Sequence, residues 1–416
     1  MNKFKKVFLS ILFAFVFIFI GYENPIIIDS SKKYIKYSLK RLGVVKSFIS
    51  NDKDIAIAKN NQKDEVNETF FNVAGNSYEL NYEKVFNFDG RTANFFLENK
   101  DKLKFNIYLQ EGINLKENFA SEIKLPIDIF LKKNGGVKSV LQIKGKKYAY
   151  ISNKKNINCY YASIIRLDDS KKIFSTKCLP DFDNTDFNGL GGAYVETEKH
   201  IFLSIGAPEW NSEKIRRLAQ NPLFVYGKII RFEKKSFLND DIKQKNYVIY
   251  SSGHKNPQGM VLYDNKIFAV EHGPQGGDEI NLIEKDNNYG WPLTSYGTRY
   301  NDGVSFEKNS ENLVKPIFAF LPSVAPSSIN KCPKNLEKYY NDNYCFLILS
   351  LRGMSVFVAL LDKKKLNLIS IEKFKIDQRV RHFGLNKENK IYQNDSSFYV
   401  SIDGEGIYRM KFNNFR

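Results

Sequence analysis

From about residue 70 onward the chain alternates short apolar runs with turns of Asn, Asp, Gly and Lys. One type of segment starts in a polar turn, passes through an aromatic residue and in most copies ends in an apolar run. Its copies are "KKYAYIS" (146–152), "KHIFLSIG" (199–206), "NKIFAVEHG" (265–273), "NYCFLILS" (343–350) and "NKIYQND" (389–395). A second type follows each copy: "YASIIRLD" (161–168), "YGKIIRFE" (226–233), "DEINLIEK" (278–285), "MSVFVALLD" (354–362) and "EGIYRMKF" (405–412). Short runs rich in Ile, Val, Phe and Tyr, bounded by turn residues, predict β-strands. Successive pairs lie roughly 50 to 80 residues apart, room for a four-stranded sheet and a loop insertion. Such repetition predicts β-propeller blades. Five pairs supply five blades, and "YEKVFNFD", "TANFFLEN" and "KFNIYLQEG" within residues 70–125 supply a sixth. The expected fold is all-β, a six-bladed β-propeller over residues 69–416, with a pair of β-sandwiches as the competing arrangement. Loops distant in sequence meet at a propeller's channel mouth. The Gly- and Pro-rich stretch "EHGPQGGDEINLIEKDNNYGWP" (271–292) joins the strands of one pair and is expected at a mouth.

The N-terminus follows a different pattern. Lys3, Lys5 and Lys6 precede an uncharged apolar run from Val7 to Tyr22. Basic residues before a short apolar segment predict a signal peptide or signal-anchor helix over residues 1–22. Residues 23–68 then read as a polar linker with one weak helical stretch. The expected location is periplasmic, with the N-terminal segment tethering the chain to the inner membrane.

Charge adds little to this picture. Sixty-three Lys and Arg against 46 Asp and Glu give a net charge of +17, spread along the whole chain. Without a dense basic block or a nucleic-acid motif, a nucleic-acid partner is not expected. Four cysteines and four histidines, with no CxxC pair, argue against a zinc site. The cysteine spacings allow bridges 159–178 and 332–345, and equally allow free buried thiols.

Candidate chemistry comes from motifs in a fixed order: "GHKNPQGM" (253–260), "EHGPQGGDEINLI" (271–283), "NYGWP" (288–292), "PSVAPSS" (322–328), "LSLRGMSVF" (349–357) and "QRVRHF" (378–383). Together they resemble the glucose/sorbosone dehydrogenase family, strongly over about 250–300 and recognisably from about 130 to 412. The resemblance implies pyrroloquinoline quinone as cofactor, calcium, a sugar substrate and an electron acceptor, either a quinone or a cytochrome. The quinone is a flat tricarboxylate and needs cations. Arg379 and Arg381 stand two apart, so on a strand both point to one face and form a carboxylate clamp. The resemblance places this pair in the cofactor pocket. It adds Arg352, Lys255 and Asn256, and also Asn134, which stands in "NGGV" where relatives carry a Gln. Gly273 and Pro274 match a turn whose backbone carbonyls hold cofactor-linked calcium, a hard ion that needs only oxygens at about 2.3–2.6 Å. Glu279 and Tyr289 fall where a second, structural calcium is held by a carboxylate and a backbone carbonyl. The other reading of Asp278 and Glu279 is that they satisfy turn amides.

One part departs from the pattern. The family's proton acceptor is a His in a segment matched here by "DFNGLGGAYVETEKHIFLSIG" (186–206), where the His position falls on Gly189 and a following Arg position on Ala193. Asp186 and His382 are the substitute catalytic candidates. Loss of a general base typically costs about 10²–10⁴-fold in rate. Three readings follow: an oxidoreductase with a different base, a ligand-binding propeller without turnover, or a membrane-tethered interaction platform.

Overall fold

The computed structural model describes residues 71–414 apart from 76, 99–103, 117–118, 181–185, 209–211, 241, 309 and 395–396. The expected anchor (1–22) and linker (23–68) lie outside the described residues. Among the described residues no helix is long and apolar enough to cross a membrane.

Among the described residues, six antiparallel sheets follow one another along the chain. Blade 1 comprises Thr92–Leu97, Phe105–Leu109, Ile113–Lys116 and Phe119–Glu122. Blade 2 comprises Val137–Ile143, Lys146–Asn156, Cys159–Arg166 and Lys172–Ser175. Blade 3 comprises Gly191–Glu196, His200–Ile205, Lys228–Glu233 and Tyr247–Ser252, and blade 4 Asn256–Tyr263, Lys266–His272, Asp278–Ile283 and Phe318–Phe320. Blade 5 comprises Pro326–Lys331, Asn343–Ser350, Ser355–Asp362 and Leu368–Lys375. Blade 6 takes Val380–Phe383, Ser397–Ile402 and Gly406–Asn414 from the end of the chain, then Tyr78–Asn87 and Phe71–Ala74 from its beginning.

That last blade closes the ring. Tyr78 pairs with Asn414 and Asn87 with Gly406, so both ends of the propeller share one sheet. "YEKVFNFD" therefore belongs to blade 6, not to the first sheet with the other segments of 70–125. "NKIYQND" likewise supplies only the short strand Gln393–Asn394, and the second strand of blade 6 is Ser397–Ile402.

Aromatic and aliphatic clusters fill the spaces between blades. Tyr148, Phe174, Phe232 and Phe237 pack between blades 2 and 3, and Phe268, Phe346, Phe357 and Phe320 between blades 4 and 5. Ring pairs such as Phe174–Phe232, with centroids 5.2 Å apart at 84°, adopt the edge-to-face geometry that the ring quadrupole favours.

Both cysteine pairs are bridged, Cys159 to Cys178 and Cys332 to Cys345. The second bridge is buried, and Cys332 also donates its backbone N–H to the Cys345 carbonyl at 2.9 Å. Replacing Cys332 and Cys345 together by Ala is expected to cost about 3 kcal/mol, from the lost constraint on the unfolded chain. Urea unfolding of wild type and variant measures it, and matching midpoints would refute it.

Candidate active site

In each blade the innermost strand starts at one channel mouth, and the turn between second and third strands returns to it. This topology places Asn134, Asp186, Asn256, Gly273, Arg352 and Arg381 on the same mouth, although they span five blades.

The chain is shaped locally to reach it. Asn134 sits in a left-handed turn (φ 56°) ahead of Val137–Ile143. Its Nδ2 donates to both Asp186 oxygens at 3.0 Å, and its Oδ1 accepts from Arg91 Nη1 at 3.3 Å. Lys138 Nζ donates to the Asn134 backbone carbonyl at 3.1 Å. Asp186 also caps the short helical turn Phe187–Gly189 by accepting from Asn188 N.

Asn256 joins blades 3 and 4. Its Oδ1 accepts from Gly191 N at 3.0 Å and from Gln258 Nε2 at 2.7 Å. Its Nδ2 lies 3.2 Å from His272 Nδ1, whose Nε2 lies 3.1 Å from the Pro326 carbonyl. Nδ1 therefore accepts and Nε2 donates, which fixes a neutral ring. Burial, with Lys255 and Arg381 nearby, pushes the His272 pKa down to about 4 against the pull of Asp278. His272 thus orients Asn256. Lys255 holds its ammonium over the Trp291 and Tyr300 rings, 5.6 and 5.9 Å from their centroids.

Arg379 and Arg381 do share a face, and Asp403 lies between them. Arg381 grips Asp403 through Nε and Nη2, and Arg379 Nε lies 3.2 Å from it. Arg381 and Asp403 are buried, whereas Arg379 is half exposed. Burial would raise the Asp403 carboxyl, but the hydrogen bonds and charge of Arg381, with Arg379, hold it below the usual carboxylate range. Arg352 is exposed in the turn after Asn343–Ser350.

The Gly-rich turn folds tightly on itself. A Cβ on Gly273 would lie 2.2 Å from the Gly277 carbonyl oxygen, and one on Gly277 (φ 67°) 2.5 Å from Gly297 N. Pro274 is buried within the turn. Asp278 fastens it: one oxygen accepts from Gly273 N, the other from Ser323 Oγ, Val324 N and Ala325 N. Glu279 does something else. It stands cross-strand from Glu271, and Asn281 Nδ2 donates to both carboxylates at 2.9–3.0 Å. Burial first, then Glu271 and Asp278, raises the Glu279 pKa well above the ordinary carboxyl value. Asn281 Oδ1 is buried without a partner. Two facing acids beside an orphaned oxygen suit a hard cation. No cluster of three or more His, Cys, Asp or Glu among the described residues could hold a metal by side chains alone. Tyr289 is buried, stacked on His254 with centroids 4.7 Å apart.

His382 points elsewhere. With Asn94, Ser139, Gln258 and Ser328 it lines a 630 Å³ cavity that runs from the middle of the channel to the opposite mouth. Burial and Arg381 push its pKa down to about 3. At Gly189 a Cβ would meet the Ala207 carbonyl oxygen at 3.2 Å, so backbone closes in where the resemblance puts a His. Ser251, His254 and Glu271 are linked in the order of a hydrolase triad, at 2.8 and 3.3 Å. All three are buried at 3 % exposure or less, so this chain of bonds is sealed from substrate and ties strand ends together.

Sequence reasoning missed Arg91, Lys138 and Asp403. At this mouth Arg91, Lys138, Lys255, Arg352, Arg379 and Arg381 stand among carboxylates that include Glu111, Asp186, Asp278 and Asp403, a mixed set whose cations suit a polyanionic ligand. The family model described as Glucose / Sorbosone dehydrogenase matches residues 148–402, from the second strand of blade 2 to the strand Ser397–Ile402 of blade 6.

The chain belongs to the glucose/sorbosone dehydrogenase family.

Within this family, the chain is 35% identical over 153 residues to the aldose sugar dehydrogenase YliI of Escherichia coli, covering 34% of this chain and 40% of that protein. It thus spans well under half the length of that curated relative. Two solved structures share the fold. The apo-form soluble aldose sugar dehydrogenase of Escherichia coli has TM-score 0.64 and 21% identity, over 81% of this chain and 100% of that one. The PQQ-bound aldose sugar dehydrogenase of Streptomyces coelicolor has TM-score 0.54 and 16% identity, over 80% and 98%.

Proposed function

We propose that this family member oxidises an aldose sugar or a related alcohol with pyrroloquinoline quinone, in the periplasm and tethered to the inner membrane by residues 1–22. The observation that carries the reading is the basic lining of this mouth, where Arg91 and Lys138 bond to Asn134 and Lys255 adjoins the buried Asn256. Bound there, the quinone supplies the hydride acceptor. Arg381 and Arg379 hold a carboxylate, with Arg352 and Lys255 on the rim. The amides of Asn134 and Asn256 orient the ring system. Asp186, already hydrogen-bonded to Asn134, is the proton acceptor nearest the expected position. His382, kept neutral and weakly basic, faces the channel beneath and is the second candidate. Gly273 and Pro274 would offer backbone carbonyls to a cofactor-linked calcium, and Glu279 with the Tyr289 carbonyl would hold a structural one, facing Glu271 and the unpartnered Asn281 Oδ1. The electron acceptor would be a quinone or a cytochrome.

The missing side chain at Gly189 favours a second reading, a propeller that binds the same ligand without turnover. Titrating the full chain with pyrroloquinoline quinone and Ca²⁺, then offering a sugar panel with an artificial dye acceptor, separates the two. Saturable binding with sugar-dependent dye reduction is the expected result. Binding without reduction would leave the second reading, and no binding would sink both.

A further inference from the structure

Arg91 and Lys138 bond to Asn134, Arg381 lies close enough to Lys138 to act on its charge, and the two arginines already have a carboxylate. Arg91 Nε lies 3.9 Å from Glu111, and Arg381 is clasped by Asp403. Lys138 differs. Among the described residues the hydrogen-bond partner of its Nζ is the Asn134 backbone carbonyl, and no carboxylate lies within ion-pair reach. It projects from the innermost strand Val137–Ile143, beside Gly192 of blade 3, whose missing Cβ would lie 3.6 Å from Lys138 Cβ. The charges facing it are Arg381 from blade 6, Arg91 from the turn before blade 1, Asp186 from the turn before blade 3, and Glu111. A crowded cation without its own counter-ion is the residue in such a group that an incoming anion satisfies.

We propose that Lys138 is an anion-binding residue of the mouth, which takes up a proton as a carboxylate of the ligand seats between it and Arg381. The proposal deepens the cofactor reading above and rests on its ligand class, a polycarboxylate. Burial first, then Arg381 and Arg91, lowers the Lys138 pKa to about 7 in the free protein. A carboxylate alongside reverses the charge environment and favours the ammonium. Free Lys138 is thus largely charged at pH 6 and about one-tenth charged at pH 8, so anion affinity falls about tenfold between them. At pH 8 each binding event takes up about one proton. His272 and His382, with pKa values of about 4 and 3, stay neutral throughout and do not contribute.

Calorimetric titration of the full chain, in buffers of differing ionisation enthalpy, reads the proton count directly. Two probes are used, citrate and pyrroloquinoline quinone. The expected result is uptake of about one proton at pH 8 for wild type. Lys138→Arg keeps its affinity at both pH values and takes up no proton. Lys138→Met binds more weakly at pH 6 and takes up none. Proton-neutral binding by wild type overturns the proposal, as does undiminished uptake by Lys138→Met or failure of both probes to bind. Quinone binding without uptake leaves the cofactor reading standing and sinks the role of Lys138. Citrate binding with uptake, but no quinone binding, does the reverse.

Discussion

Arg381→Met is expected to lose roughly 3–5 kcal/mol of stability, because it leaves a buried carboxylate without its bidentate partner. Asp403 is 9 % exposed, and only half-exposed Arg379 would remain beside it. The pair's contribution has a definite pH window. The folded-state pKa of Asp403 lies below its unfolded value, so the stabilisation is present above the ordinary carboxylate range and lost as pH falls through the folded value. Acid unfolding of wild type should therefore include this step, and unfolding of the variant should not. A paired replacement separates stability from binding. Arg381→Met with Asp403→Leu removes both charges, and apolar replacement of a buried ion pair is often neutral. The double variant should recover most of the stability while still failing to bind a polycarboxylate. Recovery of binding as well would show that the Arg pair is scaffold and not part of the ligand site.

The legibility of this propeller follows burial. The segments that announced it are the second and third strands of the blades. These are covered on both faces and so read as unbroken apolar runs: Asn343–Ser350 and Ser355–Asp362 are buried at nearly every position. Innermost strands face the channel on one side. Pro326–Lys331 reads "PSSINK" and Val380–Phe383 reads "VRHF", and neither looks like a strand in isolation. The closing strand Tyr78–Asn87 pairs with residues near the other end of the chain, and no local pattern reports a partner so distant. The same division runs through the site. The two-residue spacing of Arg379 and Arg381 placed both on one face, as their shared Asp403 requires. Asp403 itself comes from a turn, where an acidic residue is unremarked. Lys138 left one faint signal, a single cation within the run "VKSVLQI". Asp278 and Glu279 are neighbours that point to opposite faces of one strand. Their sequence admitted turn-binding and metal-holding, and the fold gives the first role to Asp278 and leaves Glu279 facing another acid.

That facing pair carries the second large effect. Without a cation, Glu279 is expected to weaken the fold at neutral pH, and Ca²⁺ is expected to reverse the sign. The folded-state pKa of Glu279 is raised above its unfolded value, chiefly by burial and next by Glu271. Its stabilising contribution is therefore present below the ordinary carboxyl range and lost as pH rises through the folded value. In EDTA, wild type should lose stability as pH rises above the ordinary carboxyl range, and Glu279→Gln should lose less, since a neutral amide has no charge to bury. Adding Ca²⁺ at a hundred times its dissociation constant should stabilise wild type by about 2.7 kcal/mol, because only the folded state presents the site. Glu279→Gln should gain little, having surrendered the carboxylate that sets Ca²⁺ affinity. Thermal melts of both proteins, in EDTA and in millimolar Ca²⁺ across that pH range, make the comparison. Equal stabilisation of the two would place calcium elsewhere, and a wild type indifferent to it would leave the Glu271–Glu279 pair sharing a proton in place of a metal. Asn281 Oδ1 then discriminates further: Asn281→Asp should tighten Ca²⁺ binding if that oxygen faces the ion, and should only add repulsion if the two acids are bridged by a proton.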